Sequence, residues 1–100
     1  MIENALTKKI NDKRAIIGII GMGYVGIPLG IEFTKNGFEV LGFDTDESKV
    51  NDINSGKQIM KHISTKKMKS FIENGSRATF EFNELETVDC ILMCVPTPLD

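Results

Sequence analysis

The chain has 100 residues, of which 41% are apolar and 26% charged, and its net charge is −2. That size fits one domain or part of one, and that balance fits a packed globular core rather than disorder. It leaves no basic field for nucleic acid or anionic lipid, and the longest apolar run, 15–20 with its glycine-rich continuation, is broken by Pro28 and Glu32, too soon to span a membrane.

In chain order, Met1–Arg14 lacks the apolar core of a signal peptide, so the expected location is the cytoplasm. There Cys90 and Cys94 would stay reduced. Ile2, Leu6 and Ile10 predict a short amphipathic helical extension over residues 1–13. The domain itself is expected over 14–100. Arg14–Ile20 is β-branched and runs into glycine, which predicts a buried first strand. Tyr24–Asn36 predicts a largely apolar helix, with Pro28 near its first turn and Asn36-Gly37 as its stop. Phe38–Phe43 predicts a second strand ending at Asp44.

Thr45 or Asp46 can cap a helix over Glu47–Asn54 that stops at Ser55-Gly56. Lys57–Ile63 reads as irregular. Ser64 can cap a third helix with Met68, Phe71 and Ile72 on one face and Asn74-Gly75 as its stop. Ala78–Phe82 predicts a short third strand with Phe80 and Phe82 on one face, followed by a turn or one helical turn over Asn83–Thr87. Val88–Val95 predicts a fourth strand, ending at Pro96-Thr97-Pro98. Strands alternating with helices demand parallel crossovers. The predicted fold is α/β, a partial doubly wound Rossmann-type sheet in the order 3-2-1-4.

Residues 18–26 read Gly-Ile-Ile-Gly-Met-Gly-Tyr-Val-Gly, and Asp44 stands 18 positions beyond the last glycine. This is a G-x-G-x-x-G turn with a ribose-binding acid, placed after a strand and before a helix as a dinucleotide site requires. Gly21 permits the tight turn, Gly23 lets a pyrophosphate approach the backbone, and Gly26 lets the helix lie close to the strand. The phosphates then meet free N–H groups at a helix start. Met22, Tyr24 and Val25 complete the turn; Tyr24 either packs over the phosphates or covers the helix start. Asp44 would accept from the ribose hydroxyls and repel a 2′-phosphate, which favours NAD over NADP. Lys49, one turn into the next helix, reaches the ribose edge or a phosphate, or is a solvated lysine.

Val95, Pro96 and Thr97 end the fourth strand beside the switch point of the sheet, with the Thr97 hydroxyl able to donate to a cofactor. Cys94 stands at the same end. Cys90 and Cys94 share a strand face about 13 Å apart, too far for a disulfide, and read as core residues. His62 has no Ser or Asp partners in sequence that would make it catalytic, and no metal site is visible.

Gly-Met-Gly-Tyr-Val-Gly-Ile-Pro-Leu (21–29), Gly-Phe-Asp (42–44) and Val-Pro-Thr-Pro (95–98) together resemble the N-terminal segment of the UDP-glucose/GDP-mannose dehydrogenase family, over residues 13–100. Gly56–Ile63 looks like the UDP-N-acetylglucosamine 6-dehydrogenase branch, although Met60 replaces an aromatic residue there. The resemblance implies an NAD-dependent homo-oligomeric enzyme of polysaccharide biosynthesis. It would oxidise the C6 alcohol of a UDP-sugar to a carboxylate with two NAD, through a thiohemiacetal and a thioester on a cysteine. That cysteine belongs to a C-terminal domain, and neither Cys90 nor Cys94 matches it. The expectation is therefore a cofactor-binding portion, inactive by itself. Two other readings are a stand-alone NAD-sensing module and a fragment of a β-hydroxyacid dehydrogenase, the latter disfavoured by Asp44 and by Val-Pro-Thr-Pro.

Overall fold

The computed structural model describes residues 15–94. The predicted helix over 1–13 and the candidate site residues Val95, Pro96 and Thr97 lie outside the described residues. The elements are β1 (Ile16–Ile20), α1 (Gly26–Lys35), β2 (Glu39–Phe43), α2 (Glu47–Asn54), α3 (Thr65–Glu73), β3 (Arg77–Thr79), a 3-10 helix (Phe82–Thr87) and β4 (Cys90–Met93). The four strands form one parallel sheet in the order β3-β2-β1-β4. This is the predicted Rossmann-type arrangement.

One face of the sheet carries Ile17, Ile19 and Val40, all 5% exposed or less. α1 and α3 lie across it. Gly30 on α1 makes the contact possible, because a Cβ there would stand 3.3 Å from the Phe71 ring and 3.5 Å from Ile19 and Val40. Burying Phe71, which is 2% exposed, contributes about 1.5–3 kcal/mol. The opposite face carries Phe43, whose ring meets Phe82 of the 3-10 helix at 5.6 Å. Ile91 and Met93 of β4 remain 51% and 67% exposed.

Several boundaries move, for local reasons. Helix α1 starts at Gly26 rather than Tyr24, since its first turn closes from the Ile27 N–H onto the Gly23 carbonyl at 3.1 Å. β2 starts at Glu39 rather than Phe38. The Phe38 N–H is taken by the Phe33 carbonyl at 3.0 Å and the Gly37 N–H by Thr34 at 3.0 Å, which is a Schellman closure. The Phe33 and Phe38 rings meet edge-on at 6.0 Å, the apolar contact that accompanies such a closure. α2 keeps its predicted bounds, capped by the Asp46 carboxylate, which accepts from the Lys49 N–H at 3.2 Å.

The third strand is the clearest correction. It ends at Thr79, so Phe80 and Phe82 are not strand neighbours. The Thr79 hydroxyl accepts from the Glu81 N–H at 3.0 Å and bends the chain out of the sheet. Cys90 and Cys94 are also less buried than predicted. Both are half-buried at the margin of the core, because β4 is an edge strand among the described residues. At the other edge, the Asn54 amide donates to the Ala78 carbonyl and accepts from the Ala78 N–H, each at 2.8 Å. That clamp occupies the outward backbone groups of β3 and blocks further pairing there.

Candidate functional site

The site is built where β1 and β2 end side by side. The Gly21 N–H donates to the Phe43 carbonyl at 2.8 Å, which carries the β1–β2 ladder one residue past the strand. Gly21 then turns at φ +98, a conformation that a side chain resists. Gly26 comes back against that turn so closely that a Cβ would lie 1.9 Å from the Gly21 carbonyl oxygen. Gly23 is the opposite case, with nothing within 4 Å of where its Cβ would be. One glycine is needed by the fold, and the other leaves a space for something outside it.

The start of α1 is chemically open. Val25 occupies the N-cap position with no side-chain cap, and no acidic residue stands in the first turn. Ile27 and Leu29 donate back to Gly23 and Val25, each at 3.1 Å, and Pro28 has no N–H. Among the described residues, the N–H groups of Tyr24, Val25 and Gly26 have no partner. Donors of this kind at the positive end of a helix attract an anion. Tyr24 and Val25 project into solvent at 85% and 62% exposure, so Tyr24 does not cover the helix start. Met22 is the reverse: its side chain is 1% exposed and packs beneath Gly42, so its only outward contribution is backbone.

Asp44 stands at the end of β2 with a side chain 12% exposed. Its Oδ1 accepts from the Asp46 N–H at 2.9 Å. Its Oδ2 accepts from the Met22 N–H at 3.1 Å and from the Lys49 ammonium at 3.3 Å. Burial alone would raise its pKa. The backbone donors Asp46 and Met22, with Lys49, outweigh burial and hold the carboxyl below its ordinary value of 3.8. Asp44 is therefore a fixed, ionised acceptor at neutral pH. A carboxylate has about four lone-pair positions, so one stays open on Oδ1 and a second opens if Lys49 swings away.

A cleft of about 510 Å³ joins these pieces, lined by the Gly21–Val25 turn, Asp44, Lys49, Met93 and Cys94. The structure thus brings together every described candidate except Gly26, which shapes the turn from behind. A second cavity of about 520 Å³ opens on the other side of Gly23 and Tyr24, where the Ile59–His62 turn forms its wall. Sequence reasoning missed that cavity and the Lys49–Asp44 pair. The five-residue spacing of Asp44 and Lys49 was the available signal for the pair. Among the described residues no cluster of His, Cys, Asp or Glu could hold a metal ion, and no helix is long and apolar enough to cross a membrane.

Residues 15–100 match the model of the UDP-glucose/GDP-mannose dehydrogenase family, NAD binding domain. The chain belongs to this family. It is an NAD-binding domain of the nucleotide-sugar dehydrogenase type, and NAD is its cofactor. It is 31% identical over 85 residues to a UDP-N-acetyl-D-mannosamine dehydrogenase of Pyrococcus horikoshii, covering 83% of this chain and 20% of that protein. It is 30% identical over 84 residues to a UDP-N-acetyl-D-glucosamine 6-dehydrogenase of Pseudomonas aeruginosa, covering 84% and 19%. The solved structure of the UDP-D-ManNAc dehydrogenase from Pyrococcus horikoshii superposes with a TM-score of 0.77 at 30% identity, over 85% of this chain and 21% of that one. The chain spans about a fifth of the length of the curated relatives it matches.

Proposed function

We propose that this chain captures NAD for a nucleotide-sugar 6-dehydrogenase, with the pyrophosphate on the Gly21–Gly26 turn and the adenine ribose on Asp44. The observation that carries the reading is the pairing of an ionised, backbone-held Asp44 with the open space over Gly23. The uncapped start of α1 fits a diphosphate, and its lack of first-turn acids leaves that charge unopposed. The ribose diol takes the open Oδ1 position and then competes with the long Lys49 bond at Oδ2. A freed Lys49 can turn toward the ribose edge or a phosphate. Cys94 closes the far wall of the cleft, and Val95, Pro96 and Thr97 follow it in sequence as further cofactor contacts. Bound NAD supplies a hydride acceptor; the residues of this chain bind and orient it.

Replacing Asp44 with Ala should weaken NAD binding by about 1.5–3 kcal/mol, the range for hydrogen bonds to a charged group. Unchanged NAD affinity by calorimetry would contradict the ribose assignment.

The finer reading is that the whole enzyme is cytoplasmic, is a homo-oligomer and oxidises the C6 alcohol of UDP-N-acetylglucosamine to a carboxylate with two NAD. Support comes from the Gly56–Ile63 segment and from the two UDP-N-acetylhexosamine relatives named above. NADH formation by the full-length enzyme with UDP-N-acetylglucosamine, UDP-N-acetylmannosamine and UDP-glucose tests it. The first substrate should turn over fastest, and faster turnover of either of the others would overturn the assignment.

A further inference from the structure

We propose that the cavity between the glycine turn and the Ile59–His62 turn is a second anion site, adjoining the dinucleotide cleft, that takes a phosphate monoester. This goes beyond the NAD reading and adds Ile59, Met60, Lys61 and His62, which that reading leaves idle. The cavity holds about 520 Å³, within the range of small-molecule sites. Its apolar lining is Ile59 and Met60, with Met22 offering backbone. Lys49, Lys61 and His62 stand around it, and no carboxylate lines it. Met22, Gly23, Tyr24 and Lys49 line both this cavity and the NAD cleft.

The polar rim is held rather than draped. Met60 and Ile63 are 9% and 4% exposed and anchor the turn in the core. The Ile63 N–H closes it onto the Met60 carbonyl at 3.1 Å, and the Gln58 amide donates to the Lys61 carbonyl at 3.1 Å. Lys61 and His62 therefore sit between two buried anchors and are exposed. Lysines predominate in the sequence around them, with Lys49 paired to Asp44 and Lys57 to Asp52. Between Asp52 and Glu73 the sequence has no acid, while it has lysines at 57, 61, 66, 67 and 69. Lys66 and Lys67 stand in the first turn of α3, where the helix dipole disfavours cations. Of these lysines Lys61 lines the cavity, while Lys67 and Lys69 line other surface pockets. The exposed Tyr24 ring and the apolar lining offer an apolar surface to the carbon body of the ligand.

The phosphate can arrive on a free metabolite or as the 2′-phosphate of NADP lying in the neighbouring cleft. Amide NMR of the 100-residue chain separates these sources. Glucose 6-phosphate should shift the amides of residues 59–63 if a free phosphate ester is taken. NADP should shift them where NAD does not if the 2′-phosphate is taken. Lys61→Ala and His62→Ala, both at exposed positions, should weaken whichever ligand binds by about fivefold, one hydrogen-bonded contact at a wet site. NAD shifts at Gly21–Gly26 should persist in both variants, so this test fails independently of the NAD reading. Silence at 59–63 with both ligands would overturn the proposal. So would affinities that neither variant changes.

Discussion

The three α-helices among the described residues start in two different ways. α2 is capped by the Asp46 carboxylate and α3 by the Ser64 hydroxyl, which accepts from the Lys67 N–H at 3.2 Å. α1 begins at Val25 with no side-chain cap and no acid in its first turn. The capped helices satisfy their own donors and serve the fold. The uncapped one leaves donors facing a cleft that also holds an ionised acid. A local rule is broken where an external anion can complete it. Stability and cofactor binding should therefore separate cleanly between these helix starts.

The largest stability effect should come from Gly26→Ala. The added Cβ meets a backbone carbonyl at 1.9 Å, which no side-chain motion relieves. A loss at or above the upper end of about 1–3 kcal/mol is expected in denaturant titration, with NAD binding lost as well. A cost below about 0.5 kcal/mol, the scale of a neutral surface change, would mean that the turn is looser than described. Gly23→Ala should do the reverse. With open space around it, stability should stay within about 0.5 kcal/mol, while NAD affinity falls about tenfold or more, about 1.4 kcal/mol.

Ser64→Ala should cost about 1 kcal/mol of stability and leave NAD affinity untouched. Val25→Asp sets a carboxylate at the positive end of α1 and should gain about 0.3–1 kcal/mol of stability from the helix dipole alone, because the Ile27 N–H is already taken and Pro28 has none. The same carboxylate should repel the pyrophosphate and weaken NAD. A variant that gained stability and kept full NAD affinity would break the contrast between the helix starts.

The smallest effect concerns pH. Asp44 is held below its ordinary value of 3.8 in the fold. Its contribution to stability is complete above that value and is lost as pH falls further, through the folded pKa. NAD affinity should thus be flat from neutral pH down toward 4 as far as Asp44 is concerned, and Asp44→Asn should flatten the loss of stability below it.

Much of this was legible because it is local. The Asp46 cap and the Ser55-Gly56 stop sit beside α2 in sequence, and its bounds came out as predicted. The glycine turn and Asp44 carry their chemistry in their spacing. β3 misled because Phe80 and Phe82 keep the alternation of a strand after the Thr79 hydroxyl has already turned the chain. Lys49 was read as a cofactor contact or a solvated lysine, whereas here its partner is Asp44 itself. The Asn54 clamp on Ala78 joins residues 24 apart, and the cavity over Met60 needs three separate segments. Neither leaves a periodic or composition signal. The exposure of Ile91 and Met93 depends on what lies across the sheet, which a strand's own sequence does not state.

The central claim is that Asp44 reads the adenine ribose while the open turn holds the pyrophosphate. Calorimetric titration of this chain and of Asp44→Ala with NAD and with NADP tests it most directly. The account predicts that the chain prefers NAD and that Asp44→Ala loses the preference mainly by weakening NAD. Equal affinity for both dinucleotides in the unsubstituted chain, unchanged by the substitution, would contradict it.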